Sequence, residues 1–293
     1  MRYRPFARTG MAVSALSLRL NGDNDEREAA DWRDLVHGAF EEGVNTFELV
    51  RPSAALMRGF GEGVAAVKRS LVFVALRLDP GLDGQGAIDW VDDALETTGL
   101  EEFNLVGVDL SETVEGSIVP AMRWMKDEGM AHRLAVAGPG DLLEEAVQLG
   151  HFDAVITPFN LLSGWRERHL VRTALESQLG VIACDPCPAA LAAMVEEGKA
   201  QGKGGWFKKA PPLGGAGTYA FLAKTQGWNV EQICVGYALT EPAVATVQVE
   251  TIGRQHLHGL ADVADRGLPS AVSAQIEMAR FSAEREAQAR RRA

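Results

Sequence analysis

Short apolar runs alternate along this chain with longer amphipathic stretches. The runs predict strands at 15–20, 45–49, 71–76, 103–108, 133–137, 154–156, 181–184 and 244–249. The stretches between them carry apolar residues at helical spacing and predict helices at 28–42, 54–67, 87–98, 114–128, 141–149, 166–179, 230–239 and 254–264. Strand–helix alternation of this kind is the pattern of βα units on a parallel sheet. Residues 2–14 read differently, as two short strands about the turn Arg8-Thr9-Gly10. Two further segments break the alternation. Residues 200–218 are rich in glycine, proline and lysine and read as a mobile loop. Residues 270–293 read as a C-terminal helix with a basic tail ending Arg290-Arg291-Arg292-Ala293. No shift in composition marks a second domain, so 1–293 is expected to be a single domain.

Composition narrows the partners. The formal net charge is -11. Such a field repels phosphate backbones and anionic lipid, so neither nucleic acid nor a membrane surface is expected as a partner. The three cysteines, Cys184, Cys187 and Cys234, form no disulfide framework and fit a reducing compartment. The start, Met1-Arg2-Tyr3-Arg4-Pro5-Phe6, has no apolar leader, and no apolar run is long enough to span a bilayer. A cytoplasmic protein is therefore expected, with a homo-oligomer left open.

The segment Gly43-Val44-Asn45-Thr46-Phe47-Glu48-Leu49-Val50-Arg51-Pro52-Ser53 resembles the aldo-keto reductase sequence Gly-Ile-Asn-Phe-Phe-Asp-Thr-Ala-x-x-Tyr-Gly. The opening Arg2–Ser14 resembles that family's first hairpin. Phe73–Arg77, Glu102–Asp109, Gly129–Gly138, Phe159–Leu162 and Val181–Pro186 resemble its third to seventh strands at matching spacing. The resemblance implies a (β/α)8 TIM barrel whose N-terminal β-hairpin closes the barrel bottom. It also implies a site at the C-terminal ends of the strands, where such barrels place their chemistry.

At the positions of the family's catalytic tetrad this chain carries Glu48, Ser53, Arg77 and Asp109. The positions that hold its nicotinamide cofactor carry Ala137, Gly138, Ile156 and Cys184. The phosphate turn matches Glu250-Thr251-Ile252-Gly253 and leads into Arg254. These substitutions bear directly on the family's chemistry. Carbonyl reduction needs a group that protonates the nascent alkoxide, and such an acid contributes about 10² to 10⁴ in rate. A serine hydroxyl is far less acidic than a tyrosine, and an arginine does not give up its proton. Glu250 sets a negative charge where a dinucleotide phosphate would lie, with Arg254, Lys203, Lys208 and Lys209 available to offset it. No cofactor is expected, and NADPH only if the chain is a divergent NADPH-dependent oxidoreductase. The leading expectation is a pseudoenzyme that serves as a binding or assembly subunit.

The residues leave other readings open. Glu48 and Arg77 can form a bidentate pair, either as a scaffold salt bridge or as a clamp for a substrate carboxylate. Glu48, Asp109 and Asp185 at strand ends are either solvated or crowded enough to supply acid–base chemistry with Arg77 on a small polar substrate. They could equally bind a hard cation, although no metal is expected. Cys184-Asp185-Pro186-Cys187 has a spacing shared by redox dithiols and half metal sites, and it also arises by coincidence. Cys234 sits in an apolar run and reads as core. Trp206 and Phe207 either dock a protein partner or fold back into the emptied cleft. The six histidines read as surface or structural groups.

Overall fold

The structure, a computed structural model, describes residues 1–23, 26–110, 116–191, 193–195, 219–251 and 253–292. The loop at 200–218, with Lys203, Trp206, Phe207, Lys208 and Lys209, lies outside that set, as does Ile252.

Eight parallel strands close into a barrel. They are β3 (Leu16–Asn21), β4 (Thr46–Val50), β5 (Phe73–Arg77), β6 (Leu105–Asp109), β7 (Leu134–Ala137), β8 (Ala154–Pro158), β9 (Gly180–Cys184) and β10 (Thr246–Val249). Each pairs with its neighbour in sequence, and β10 closes the ring between β9 and β3. The helices between strands are α1 (Ala29–Glu41), α2 (Ala54–Ala65), α3 (Gly84–Thr98), α4 (Ile118–Asp127), α5 (Gly140–Leu149), α6 (Trp165–Glu176) and α7 (Val230–Ala238). After β10 come α8 (Arg254–Arg266) and α9 (Ser270–Arg292). None of the described helices is long and apolar enough to cross a membrane.

The strands read as near-continuous apolar runs because both of their faces are covered. Alternate residues still have different neighbours. In β3, Leu16, Leu18 and Leu20 join the large cluster under the helices, and Phe47 and Leu49 do the same from β4. The inward residues form a second cluster of mostly small side chains, including Ala75, Ala135, Ala137 and Ala154, with Phe73, Leu105, Ile156 and Ile182 filling the space between them. Mixing small and large residues is how a narrow barrel fills its interior.

The hairpin β1 (Tyr3–Pro5) and β2 (Ala12–Ser14) closes the N-terminal end of the barrel, as the sequence predicts. Its turn delivers Phe6, fully buried, with its ring 4.7 Å from that of Phe73. Gly180 opens β9 beside this ring, and a Cβ there would lie 2.5 Å from Phe6 Cζ. Arg4 donates to the carbonyls of Leu239 at 2.6 Å and Val244 at 2.5 Å. The Ser14 amide donates to Asn45 Oδ1 at 2.7 Å. The hairpin is thus tied to loops that precede strands, and the opposite end stays open.

Some boundaries differ from those predicted. The run at 71–76 starts as a 3-10 turn over Arg69–Leu71 with Leu71 exposed, and the strand begins at Phe73. The helix predicted from residue 87 begins at Gly84 because Asp83 caps it, accepting from the Gly86 amide at 2.7 Å. The helix predicted to reach 179 ends at Glu176, where Gln178 turns to a φ of 61°. The tail is not a free surface helix along its first turns. Val272, Ile276 and Ala279 of α9 are buried in a cluster with Leu161 and Tyr237.

Phe6→Ala is expected to cost about 3–5 kcal/mol, the usual range for truncating a buried phenylalanine. Urea unfolding followed by far-UV circular dichroism measures it. A loss below about 1 kcal/mol would mean that the hairpin does not hold the barrel end.

Candidate functional site

At the open end, four side chains on four strands form one network, buried except at Asp109. β4 supplies Glu48, β5 Arg77, β6 Asp109 and β10 Gln248. Arg77 Nε and Nη2 both donate to Glu48 Oε1, at 2.9 and 2.7 Å. Arg77 Nη1 donates to Asp109 Oδ1 at 2.6 Å. Gln248 Nε2 donates to Glu48 Oε2 at 2.5 Å. Glu48 is 2% exposed and Arg77 6%, whereas the Asp109 side chain is 47% exposed. Gly107 lies against the guanidinium, where a Cβ would sit in ordinary contact with Arg77 Nε at 3.4 Å.

The geometry corrects the expected bidentate pair in two respects. Two N–H groups of Arg77 meet one oxygen of Glu48, and the other oxygen belongs to Gln248. The pair is also buried inside the barrel rather than standing at its rim. Burial pulls the Arg77 pKa down, but Glu48 and Asp109 more than offset it, so the guanidinium is held above its ordinary value. With both oxygens of Glu48 engaged and almost no exposure, this carboxylate has no free face for a substrate. Arg77 likewise has no open fork for a substrate carboxylate.

Above the network lies a cavity of about 390 Å³, lined by Arg19, Cys184, Asp185, Pro186, Cys187, Gln248, Val249 and Glu250. Arg19 Nη1 meets Glu250 Oε1 at 2.7 Å. The cation beside Glu250 is therefore Arg19, from β3. Arg254 is not in the cavity: it turns onto α1, meeting Glu41 at 3.0 Å and the Asp34 carbonyl at 3.1 Å. Burial pushes the Cys184 thiol up to about 12. Asp185 has a φ of 48°, a left-handed conformation uncommon for a residue with a side chain, and its carbonyl accepts from Asn160 Nδ2 at 3.0 Å.

The other predicted positions have plain structural roles. Ser53 caps α2, its hydroxyl accepting from the Leu56 amide at 3.2 Å. A cap of this type contributes about 1 kcal/mol. Ala137 and Ile156 are packed inside the barrel. The Gly138 amide donates to the Ile156 carbonyl at 3.0 Å. No tyrosine or histidine is among the described residues lining the mouth cavity. His256 stands to one side, between Thr251 Oγ1 at 2.8 Å and Glu231 Oε2 at 2.6 Å. Among the described residues, no three of His, Cys, Asp and Glu converge as a metal site. Arg77 occupies the space between Glu48 and Asp109 that a hard cation would need.

Gln248 is the member of the network that sequence reasoning missed. Its signal was present: one polar residue within the apolar run Val247-Gln248-Val249, at a position that alternation points inward.

A second polar group stands near the mouth, on the loop after β5. Arg51, after β4, has a φ of 42° and pairs with Asp23 at 2.5 Å. Asp79 interacts with both, and its Oδ1 is buried with no hydrogen-bond partner among the described residues. Burial, reinforced by Asp23 and opposed by Arg51, raises the Asp79 pKa.

The backbone matches solved structures of another protein. It superposes on the aldo-keto reductase AKR11C1 from Bacillus halodurans in its holo form with a TM-score of 0.74. The match covers 95% of this chain and 96% of that one at 12% identity. The apo form of the same enzyme gives 0.73 at 13% identity, with the same coverage. At such identity the likeness establishes a shared fold. No protein-family profile matches the sequence, and no curated protein matches it by sequence.

Two outcomes follow from the charges. Arg77→Met leaves Glu48 buried and uncompensated, and is expected to destabilise the barrel by about 3–5 kcal/mol in urea unfolding. The double variant Arg77→Met/Glu48→Gln should recover much of that loss, and additive losses would show that the pair is not coupled. For Asp79, the folded-state pKa exceeds the unfolded one, so protonation favours folding. The cost of its charge is absent well below the ordinary aspartate range. It grows as pH rises through the unfolded pKa and is complete above the folded one. Asp79→Asn should therefore raise Tm at pH 7, with the gain shrinking on acidification below about pH 4. An unchanged or lowered Tm at pH 7 would contradict this.

Proposed function

We propose that this barrel keeps the aldo-keto reductase fold without NADPH-dependent carbonyl reduction, and serves as a binding or assembly subunit whose open end is the recognition surface. The observation that carries this reading is the closed network of Arg77, Glu48, Asp109 and Gln248. Where a reductase needs an acidic hydroxyl with a lysine to tune it, this chain has a guanidinium held between two carboxylates. Ser53, at the position of the missing phenol, caps a helix. The Cys184 thiol on the cavity wall is held well above its ordinary range by burial, which makes it a poor proton donor.

The mouth also fits a dinucleotide poorly. Glu250, half-exposed, would face a phosphate, a contact that costs about 1 kcal/mol at 4 Å in water and about 4 at an effective dielectric of 20. Arg19 already spends its charge on that carboxylate. The turn into α8 lacks a free cation among the described residues, since Arg254 is held by α1. These residues support a mouth that does without a nicotinamide cofactor. Trp206 and Phe207, on the loop expected beside this mouth, are proposed to contribute to a protein contact, and loops after β4, β9 and β10 to frame it.

One observation favours a second reading, acid–base chemistry on a small polar substrate. Asp109 is half-exposed next to Arg77, and Asp185 is held in an uncommon backbone conformation at the cavity wall. In that reading Arg77 orients Asp109, and Asp109 and Asp185 do the work. Glu48 is a scaffold group in both.

Titrating NADPH while following its fluorescence, alongside an aldehyde-reduction assay, tests the proposal. The expected result is no enhancement at micromolar NADPH and no aldehyde-dependent NADPH oxidation. Saturable binding with turnover that is lost in Asp109→Ala would overturn it in favour of a divergent reductase.

A further inference from the structure

The spacing of the sequence groups Cys184 with Cys187, but the fold groups Cys187 with Cys234. Cys184 ends β9 facing inward, where its charged neighbours are Arg77 and Glu48. The left-handed turn at Asp185 then redirects the chain. Cys187 follows it on the wall of the mouth cavity, half-buried. There it packs on a cluster that contains Cys234, Leu191 and Leu222. Cys234 is fully buried on α7. The two side chains thus meet in one buried cluster, and all three cysteines are free thiols.

We propose that Cys187 and Cys234 are a reversible redox pair, which a hydroperoxide converts into a disulfide tying the loop after β9 to α7. The arrangement assigns a role to each sulfur. Cys187 is the reachable one, at the cavity wall. Cys234 is the resolving one, in the same cluster and shielded from solvent. Interaction with Cys234 holds the Cys187 thiol below its ordinary pKa against the effect of burial, which favours the nucleophilic thiolate. The same interaction, together with burial, holds Cys234 above its ordinary pKa.

The chemistry balances with hydrogen peroxide as the oxidant. Cys187 thiolate attacks one peroxide oxygen, the O–O bond breaks, and hydroxide leaves to become water. Cys187 is now a sulfenic acid. Cys234 sulfur attacks Cys187 sulfur, the S–O bond breaks, and the departing hydroxide takes up the Cys234 proton as a second water. Two thiols lose two electrons and two protons, and one peroxide becomes two waters. A dithiol reductant reverses the step by exchange at the same bond.

The consequence is mechanical. Asp185, Pro186 and Cys187 form one wall of the mouth, and α7 packs behind them. A covalent tie fixes that wall to the helix layer, while the dithiol form leaves non-covalent packing between them.

The test uses the full chain, reduced and then exposed to a small molar excess of hydrogen peroxide without reductant. Free thiols are counted by alkylation and intact mass, and the linkage is read by non-reducing peptide mapping. The expected result is loss of two of the three thiols, a Cys187–Cys234 cross-linked peptide within one chain, and recovery with dithiothreitol. Cys187→Ser should abolish the cross-link and Cys184→Ala should leave it intact. A Cys184–Cys187 linkage, a disulfide between chains, or oxidation of Cys187 to the sulfinic acid without a cross-link would each overturn the proposal. So would retention of all three thiols. The peptide map is read on the unsubstituted chain, so the answer does not depend on whether a Cys234→Ala variant folds.

Discussion

A single guanidinium organises the upper interior of this barrel. Arg77 brings a charge into a space that otherwise holds alanine, glycine and a few larger apolar side chains. An ion in such a place is tolerated only when its partners are close and its hydrogen bonds are made. Glu48, Asp109 and Gln248 meet that demand from three further strands. The requirement reaches into residues that carry no charge. Gly107 is small where the guanidinium passes, and Ala75 is small beside Glu48 in the adjoining register. The network therefore couples β4, β5, β6 and β10 through side chains as well as through the sheet.

The two ends of the barrel are built on different physics. The closed end is apolar and interlocked: the Phe6 ring against Phe73, with Gly180 leaving space for it. The open end is polar and partly exposed, with Arg19 on Glu250 and the half-exposed Asp109. Left-handed non-glycine residues occur at both ends, with Ala7 and Gln178 at the closed one. Arg51 and Asp185 take left-handed conformations just past the C-terminal ends of β4 and β9. Such conformations persist where surrounding contacts hold them, here the Asp23 carboxylate and the Asn160 amide.

The barrel was legible in the sequence because periodicity and turn chemistry agree at almost every element. The runs at 15–20 and 154–156 fall on strands, and the helices expected from residues 54 and 230 start there, where the structure caps them with Ser53 and Asn229. The errors sit where tertiary contacts override local pattern. Leu71 is apolar yet exposed, because its carbonyl is taken by Asn45 Nδ2 and the chain has not yet entered the sheet. The site was legible only in part. Glu48, Arg77 and Asp109 are brought together as their strand-end positions suggest, but which oxygen meets which nitrogen depends on Gln248, 200 residues from Glu48. Arg254 was misplaced because helix rotation, which adjacency in sequence does not give, aims it at α1. The partner of Cys187 was hidden for a related reason: Cys234 is adjacent only after the helix layer wraps the barrel.

The seal made by Phe6 has one more implication. With Phe6 corking the base, a small molecule gains Cys184 from the end lined by Arg19, Asp185 and Glu250 among the described residues. Its residence there is set by that polar end, and the apolar base has no part in it.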